Sequence, residues 1–240
     1  MPTARQDIPA INRLLAALPK KEYKRLLPEL ERVPLTFGDI LYEPGQAILH
    51  VYFPNDSIIS LLTTVEGEKA LEVGIVGNEG MAGVPALLGV SVSHHRALVQ
   101  GAGTAMRMTA AVLRRETKQD GPLQRLLQRY THSLLMQISQ SAACNRFHLV
   151  DARLARWLLM ASDRLQLNDF YLKQEFMANM LGVRREGVSM AAGALQRQEL
   201  ISYIRGHLKI TNRAGLEAVA CQCYMVIRDE SDSFLNNGRA

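Results

Sequence analysis

The sequence lacks any apolar run long enough to cross a bilayer. Its longest apolar stretches, SIISLL from residue 57 and RWLLMA from residue 156, are far shorter than the roughly 20 residues that a spanning helix requires. The first fifteen residues, MPTARQDIPAINRLL, contain no apolar segment followed by a small-residue cleavage site. We therefore predict a globular, cytoplasmic protein with no membrane partner.

Cysteine is scarce. The three cysteines, Cys144, Cys221 and Cys223, are odd in number and too few for a disulfide framework. Cys221 and Cys223 form a C-x-C pair, but no cluster of histidine or cysteine lies near it in the sequence. We expect reduced thiols and no metal site.

Motifs of catalysis are also missing. Neither a G-x-S-x-G nucleophile motif nor a G-x-x-x-x-G-K phosphate loop occurs. The glycines of GNEGMAG, at 77, 80 and 83, do not follow the spacing of a dinucleotide-binding loop and are interpreted as turns. The sequence predicts no catalytic residue, and we expect that the protein is not an enzyme.

Basic residues, by contrast, are concentrated in one part of the chain. The 240 residues are 48% apolar and 21% charged, which allows a substantial core and two modest domains. The formal net charge of +5 permits a polyanionic partner. Between residues 173 and 213 there are seven basic and three acidic side chains, so this segment holds most of the excess charge.

The hydrophobic pattern changes twice along the chain. Leucines at helical spacing predict helices over residues 9–32, which Pro19 and Pro28 interrupt. From 33 to about 110, short apolar runs alternate with Gly, Pro, Asn and Asp about every ten residues, which predicts an antiparallel roll or barrel. TVEGEKAL, around Glu66 and Gly67, is typical of a hairpin turn.

A long amphipathic helix follows Pro122, which suits a first helical position. The helix has a main apolar stripe and, beside it, a second apolar edge through Leu126 and Leu135. We predict that the stripe pairs with the same helix of a second chain, although the pattern equally fits a core helix of one subunit. The next helix is predicted to begin after Asp151 as its N-cap. The main apolar stripe of the long helix after Pro122 consists of Leu123, Leu127, Tyr130, Leu134, Ile138 and Ser141.

The segment LKQEFMANMLGVRREGVSMAAGALQRQELI, residues 172–201, predicts a helix-turn-helix. Residues 173–181 form the first helix, Gly182 suits a helix C-cap, and the second helix runs over residues 185–198. Its packed face consists of Val188, Ala191, Ala192 and Leu195, which leaves outside Arg184, Arg185, Glu186, Ser189, Met190 and Arg197.

Arginines at the start of a helix oppose its macrodipole, at a cost of about 0.3–1 kcal/mol each. A recognition helix supplies a reason for them, because arginine can bind guanine and glutamate can accept a hydrogen bond from cytosine. A solvated charged face is the commoner explanation of an isolated charge cluster. The following sequence, SYIRGHLKITNRAGLE, favours recognition, because its alternation, its turn at residues 205–207 and the N-cap Asn212 predict a wing.

The stretch LGVRREGVSMAAGALQRQELI resembles the recognition helix of the Crp/Fnr family of bacterial transcription regulators, and the order of elements is similar over almost the full length. The resemblance implies an α+β fold. An N-terminal antiparallel β-roll, a double-stranded β-helix like the cyclic-nucleotide-binding domain, occupies 1–118 with the N-terminal helices. A dimerisation helix and hinge occupy 119–150, and a winged helix-turn-helix occupies 151–240.

The resemblance also implies a homodimer on a two-fold symmetric operator of double-stranded DNA, with RNA polymerase as a further partner. It places base contacts at Arg185 and Glu186, with Ser189 and Met190 beside them; Met190 departs from an arginine that several members carry. The expected phosphate contacts are Lys173, Gln174 and Arg184, together with Arg205, His207 and Lys209 of the wing.

The segments that bind the effector in the family are less well matched in this sequence. Members that bind cyclic AMP carry Gly-Glu-Leu and Arg-Ser/Thr-Ala segments. The corresponding segments here are Gly83-Val84-Pro85 and His95-Arg96-Ala97, so a possible effector pocket includes Gly83, Val84, His95 and Arg96. A ribose hydroxyl facing Val84 would lose a charge-assisted hydrogen bond of about 1.5–3 kcal/mol, which disfavours cyclic AMP.

No cofactor is identified from the sequence. The absence of cysteine before residue 144 argues against the iron–sulfur cluster of oxygen-sensing members. Haem would require a histidine of the roll as a ligand, and His50, His94 and His95 are expected to be ordinary surface or hydrogen-bonded histidines.

Two other interpretations stay open. A cupin-like metal enzyme would need His-x-His, a glutamate and a later histidine around one metal ion; the adjacent His94 and His95 would point to opposite faces of a strand. Alternatively, the chain is a protein-interaction module that retains the fold. The charges of the predicted wing argue against a purely packing role.

Overall fold

The computed structural model describes residues 11–64 and 70–236. Strands dominate up to residue 109, and helices dominate after it. The strands are β1 (Glu31–Leu35), β2 (Ile40–Tyr42), β3 (His50–Pro54), β4 (Ile58–Thr64), β5 (Ala70–Val76), β6 (Arg96–Gly101), β7 (Gly103–Thr109), β8 (Asp169–Tyr171), β9 (Ile201–Ile204) and β10 (His207–Ile210). The helices are α1 (Arg13–Ala16), α2 (Lys20–Leu26), α3 (Val84–Leu87), α4 (Ala110–Glu116), α5 (Pro122–Phe147), α6 (Val150–Leu165), α7 (Gln174–Leu181), α8 (Arg185–Arg197), α9 (Arg213–Val219) and α10 (Cys223–Asn236).

The first seven strands form the predicted roll from two antiparallel sheets, with strand orders β1-β7-β3 and β2-β6-β4-β5. Alternating side chains of both sheets enter one core, in which Val51, Phe53 and Val99 are fully buried. The predicted hairpin turn at Glu66 and Gly67 lies outside the described residues.

The prolines shape the segment before the roll. Pro19 is the N-cap of α2, and Pro28 lies in a 3-10 turn over Leu27–Glu29. The predicted helical segment therefore ends earlier than residue 32, because Glu31 already pairs with Arg107 in β1 and β7.

Helix α5 begins at Pro122, as predicted. Its main stripe lies against its own roll and not at a free surface: Leu127 is fully buried, and the Tyr130 hydroxyl donates to the Met81 carbonyl at 3.0 Å. Gln137 adds to the contact between α5 and the roll. Its Oε1 accepts a hydrogen bond from the Ile75 amide at 2.7 Å, and its Nε2 donates to the Ile75 carbonyl at 3.1 Å. The residues predicted to contact a second chain thus serve the subunit core. The roll covers this edge of the helix, which the sequence pattern alone could not decide.

The predicted second apolar edge of α5 is exposed only in part, because Leu126 is buried and Leu135 is accessible. Leu135 and Met136 have 55% and 39% of their surface accessible, and the small residues Ser139, Ala142 and Ala143 continue the edge toward the end of the helix. This exposed edge consists of Leu135, Met136, Ser139, Ala142 and Ala143.

Helix α10 was not predicted from the sequence. It packs along α5, where the Phe234 ring lies 5.9 Å from that of Tyr130 and Glu230 lies 3.2 Å from His132. The contact between α10 and α5 places the end of the described chain beside the middle of α5. No helix in the described ranges combines the length and apolar character of a membrane span.

The C-terminal part is attached to the roll through α6. This helix begins at Val150 with Leu149 as N-cap; Asp151, the predicted N-cap, lies in the first turn and accepts from the Ala152 amide at 2.8 Å. The Arg164 Nε donates to Glu79 Oε1 at 2.8 Å, and both side chains are less than 10% exposed. A buried ion pair therefore links α6 to the turn after β5.

A second polar contact joins the same two parts. The Trp157 indole donates to Glu72 Oε1 at 2.9 Å, and the Ser60 hydroxyl donates to Glu72 Oε2 at 2.6 Å. Burial raises the pKa of Glu72 to about 7, against the opposing effect of these two hydrogen bonds. This carboxyl group is consequently protonated in a large fraction of molecules near neutral pH.

Glu72→Gln should remove part of the pH dependence of stability. A raised folded-state pKa contributes stability that is complete below the ordinary value near 4.5 and is lost as the pH rises through about 7. Between about pH 5 and pH 8 the wild type should lose roughly 2–3 kcal/mol more unfolding free energy than the variant. Urea unfolding at several pH values measures this difference, and parallel curves for the two proteins would contradict it.

Candidate nucleic-acid interface

The turn between α7 and α8 depends on Gly182. Its φ of 61° lies in the left-handed region, and the Val183 amide donates to the Ala178 carbonyl at 3.0 Å to close the helix end. A Cβ at this position would lie 2.6 Å from Leu71 Cδ1 of the roll. The left-handed backbone therefore favours glycine, and a Cβ here would also displace the end of the Leu71 side chain.

Helix α8 divides into a buried and an exposed face, as predicted. Met190, on the exposed face, has 71% of its surface accessible. The buried face consists of Val188, Ala191, Ala192 and Leu195, and the exposed side chains are those of Arg184, Arg185, Glu186, Ser189, Met190 and Arg197.

The charges at the start of α8 are not neutralised by neighbours. Within the described part of the chain, Arg184, Arg185 and Glu186 form no ion pair, and Arg184 caps the helix without a side-chain hydrogen bond. Arg213 of α9 differs: it lies 2.6 Å from Asp163 and 3.0 Å from Glu217. Arg213 is thus held by two carboxylates within its own domain, whereas Arg184 and Arg185 at the start of α8 face solvent.

The wing is a hairpin of β9 and β10. Its two-residue turn has Arg205 at φ 51° and Gly206 at φ 89°, whereas His207, predicted to lie in the turn, begins β10. Along β10 the side chains alternate, so that His207 and Lys209 are exposed between buried neighbours. The short strand β8, which the sequence did not predict, pairs with β10 and makes the sheet three-stranded.

The wing and the start of α7 enclose an open cleft. The Tyr203 hydroxyl donates to the Leu172 carbonyl at 2.7 Å, and the Leu172 amide donates to the Gly206 carbonyl at 2.7 Å. These bonds hold the wing turn beside the first turn of α7. The cleft is lined by Tyr171, Lys173, Gln174, Glu175, Arg185, Tyr203, Arg205 and Gly206.

Four residues predicted to contact DNA therefore lie together in this cleft: Lys173, Gln174, Arg185 and Arg205. Three of them are cationic, against the single carboxylate of Glu175. The aromatic ring of Tyr171 lies 5.3 Å from that of His207, which places a fifth predicted residue at the rim. Such a concentration of donors suits a polyanion.

The residues of the possible effector pocket lie in the roll. Gly83 has a φ of 105° and caps α3, whose first residue Val84 is buried. Arg96 already has a partner, since its Nε lies 2.8 Å from Glu43 Oε2. His95 is half-buried, and burial lowers its pKa; with His94 it lies in a bend before β6 and not within a strand.

The cysteines are not scattered in the folded chain. Cys144 near the end of α5 lies 3.4 Å from Cys221, between the two sulfur atoms, and Cys223 lies 3.5 Å from His148 Nδ1. The expectation that the C-x-C pair has no cysteine or histidine cluster around it is therefore wrong in three dimensions. The spacing of four residues between Cys144 and His148, which places both on one helical face, was the available signal.

Comparison with known proteins agrees with this architecture. Residues 152–219 match the family of Crp-like helix-turn-helix domains. Comparison with curated protein sequences gave no match. Solved structures do match, among them the c-di-GMP responsive global regulator CLP of Xanthomonas campestris, at 15% identity and a TM-score of 0.66 over 80% of this chain and 99% of that chain.

Two further solved structures are similar to the same extent. FixK2 of Bradyrhizobium japonicum has 14% identity and a TM-score of 0.65, over 80% of this chain and 98% of its own. A transcriptional regulator of the CRP/FNR family from Thermus thermophilus has 20% identity and a TM-score of 0.65, over 79% of this chain and 98% of its own. Residues 152–219 therefore form a Crp-like helix-turn-helix domain within a chain that has the Crp/Fnr-type fold, which confirms the predicted fold class and, for this domain, the predicted family.

Proposed function

We propose that the chain is a homodimeric transcription regulator that binds double-stranded DNA sequence-specifically through α8. The observation that carries this proposal is the exposed, unneutralised set of charges at the start of that helix. An arginine at a helix N-terminus gains nothing from the macrodipole, whereas it can bind guanine in the major groove.

The proposed contacts divide into two kinds. Arg185 and Glu186 read base edges, with Ser189 and Met190 further along the exposed face of α8. Phosphate contacts fix the orientation of the helix without reading sequence. They are assigned to Lys173, Gln174, Arg184, Arg205, His207 and Lys209.

The exposed edge of α5 provides the proposed dimer contact. Leu135 and Met136 are the large apolar side chains of that edge, and small residues beyond them allow two helices to approach closely. Two copies related by a two-fold axis would place their α8 helices in successive major grooves, so that the operator repeats the symmetry of the protein.

Control by an effector would act through the contacts between roll and α6. The pairs Glu79–Arg164 and Glu72–Trp157 are polar links between these two parts, and a ligand that shifts the roll would reposition α6 and the helices after it. Any anion at Arg96 has to compete with Glu43. This competition, together with Val84 in place of a carboxylate, weighs against cyclic AMP as the ligand.

The proposal is tested by selecting bound duplexes from random DNA with the purified full-length chain. We expect an enriched two-fold motif whose half-site centres lie about 10–10.5 base pairs, or a multiple of this, apart. Its affinity should fall steeply between low and moderate salt, because phosphate contacts release counterions. Absence of any enriched sequence would contradict the proposal and favour the interaction module.

A further inference from the structure

Four side chains from distant parts of the chain converge where α5 ends. Cys144 lies in the last turn of α5, and His148 is the C-cap of that helix. Cys221 and Cys223 stand immediately before and at the start of α10. The three cysteines are buried, while His148 is exposed.

The spacing of these side chains matches a small coordination sphere. The Cys144 and Cys221 sulfur atoms are 3.4 Å apart, Cys223 Sγ is 3.5 Å from His148 Nδ1, and all four donor atoms lie within 4.8 Å of one another. Ligand atoms around a tetrahedral zinc ion, at bond lengths of 2.0–2.3 Å, are separated by about 3.5–3.8 Å. Small side-chain movements suffice to reach that geometry.

We propose that Cys144, His148, Cys221 and Cys223 bind one Zn²⁺ ion. Three sulfurs and one imidazole nitrogen form a donor set that prefers a soft or borderline divalent cation to Mg²⁺ or Ca²⁺. Four protein ligands complete a tetrahedron and leave no position for water, so the site is structural and not catalytic. Binding displaces the thiol protons, which pass to solvent.

The charge around the cluster suits the loaded site. A zinc ion with three thiolates and a neutral imidazole has a net charge of −1. Arg153 and Arg156 of α6 are buried beside it, at 6% and 5% exposure, and their charges act on Cys144. Within the described residues neither arginine forms an ion pair with a carboxylate; their partners are Asn145 and Leu181, and Ser141 and Met160, respectively.

The surroundings also provide an outer hydrogen bond and a path of entry. Gln140 Nε2 donates to Cys223 Sγ at 3.1 Å, and such a bond orients a thiolate ligand. His148 is exposed and therefore gives the ion access to the buried sulfurs.

The bound ion would join the end of α5, the hinge and α10. His148 immediately precedes the connection to α6, so occupancy would restrict how α6 to α8 are oriented relative to the long helix. This consequence for DNA binding rests on the function proposed above, whereas the metal site itself does not.

The test is a titration of the reduced, metal-free full-length protein with Co²⁺, followed by Zn²⁺. We expect one Co²⁺ per chain, with the visible absorption of a tetrahedral thiolate site, and stoichiometric displacement by Zn²⁺. His148→Ala and Cys223→Ser should each weaken binding by more than about 10-fold, as loss of a ligand or its support does.

His132→Ala is the matched control. His132 also lies on α5 and contacts α10 through Glu230, but it is outside the cluster, so its variant should bind Co²⁺ as the wild type does. The proposal is overturned if reduced protein binds no Co²⁺, if the His148 and His132 variants bind alike, or if the purified protein shows iron–sulfur absorption. His148→Ala changes an exposed side chain, so correct folding of this variant is expected and circular dichroism checks it.

DNA affinity is measured separately on a selected duplex, with and without Zn²⁺. If the protein binds the selected duplex but binds no Co²⁺, the proposed metal site is rejected and the proposed regulator function stands. Stoichiometric metal uptake with no DNA binding would reject the regulator and leave the metal site intact.

Discussion

Arg164→Met is expected to lower the free energy of unfolding by about 3–5 kcal/mol, the usual cost of removing one partner from a buried ion pair. Glu79 would then keep a carboxylate in the core, and among the described residues its one remaining donor is the Gly77 amide, 3.3 Å away. The side chain of Arg164 also donates to the Met160 carbonyl at 3.1 Å, which the variant loses. Chemical denaturation monitored by the single tryptophan measures the change.

Two controls separate burial from charge. Arg13→Ala breaks the ion pair with Asp232, in which both side chains are about half exposed, and should cost no more than about 1 kcal/mol. The double variant Arg164→Met with Glu79→Leu should recover much of the loss, because an apolar pair replaces the buried charge. Equal effects of the Arg164 and Arg13 variants would show that the roll and α6 are not held together by this contact.

Arg185→Ala should weaken binding to a selected duplex by about 1–3 kcal/mol and relax the base preference at one position in each half-site. Stability should change little, since the side chain is exposed and free of ion pairs in the described structure. The weaker DNA binding is expected because the variant loses a bidentate contact with a base, an effect that removal of a positive charge elsewhere would not reproduce.

Arg114→Ala provides the matched control for charge. Arg114 is exposed on α4 of the roll, so its removal lowers the net charge equally but at a distance from α8. Fluorescence anisotropy with the selected duplex should show near wild-type affinity for this variant. An Arg185 variant with unchanged affinity and unchanged base preference would reject its role in recognition.

Local patterns predicted most of the helix-turn-helix and wing. Alternation placed Lys209 outward, and helical spacing placed Val188 and Leu195 inward, because one face of each element had to be buried. His207 was assigned to the turn, although it is the first residue of β10. The positive φ of Gly182 followed from its position after an amphipathic segment. These inferences needed only neighbouring residues.

Contacts between distant segments were not predictable in this way. The stripe of α5 was correct as a helical face, but its neighbour is the roll of the same subunit, and Leu135 on the second edge is the one left exposed. Arg164 gave no sign that it would be buried, since its partner Glu79 lies 85 residues away. The cysteine cluster was missed for the same reason, because 77 residues separate Cys144 from Cys221.

Site-specific crosslinking tests the central claim, that α8 enters the major groove, most directly. A photoreactive phenylalanine analogue in place of Met190, and another in place of Leu88, put probes on two exposed apolar positions, the first on α8 and the second on the roll. Irradiation with the selected duplex should crosslink position 190 to bases within each half-site and leave position 88 unlinked. Crosslinks from position 88 without any from position 190 would contradict the assignment of α8 as the recognition helix.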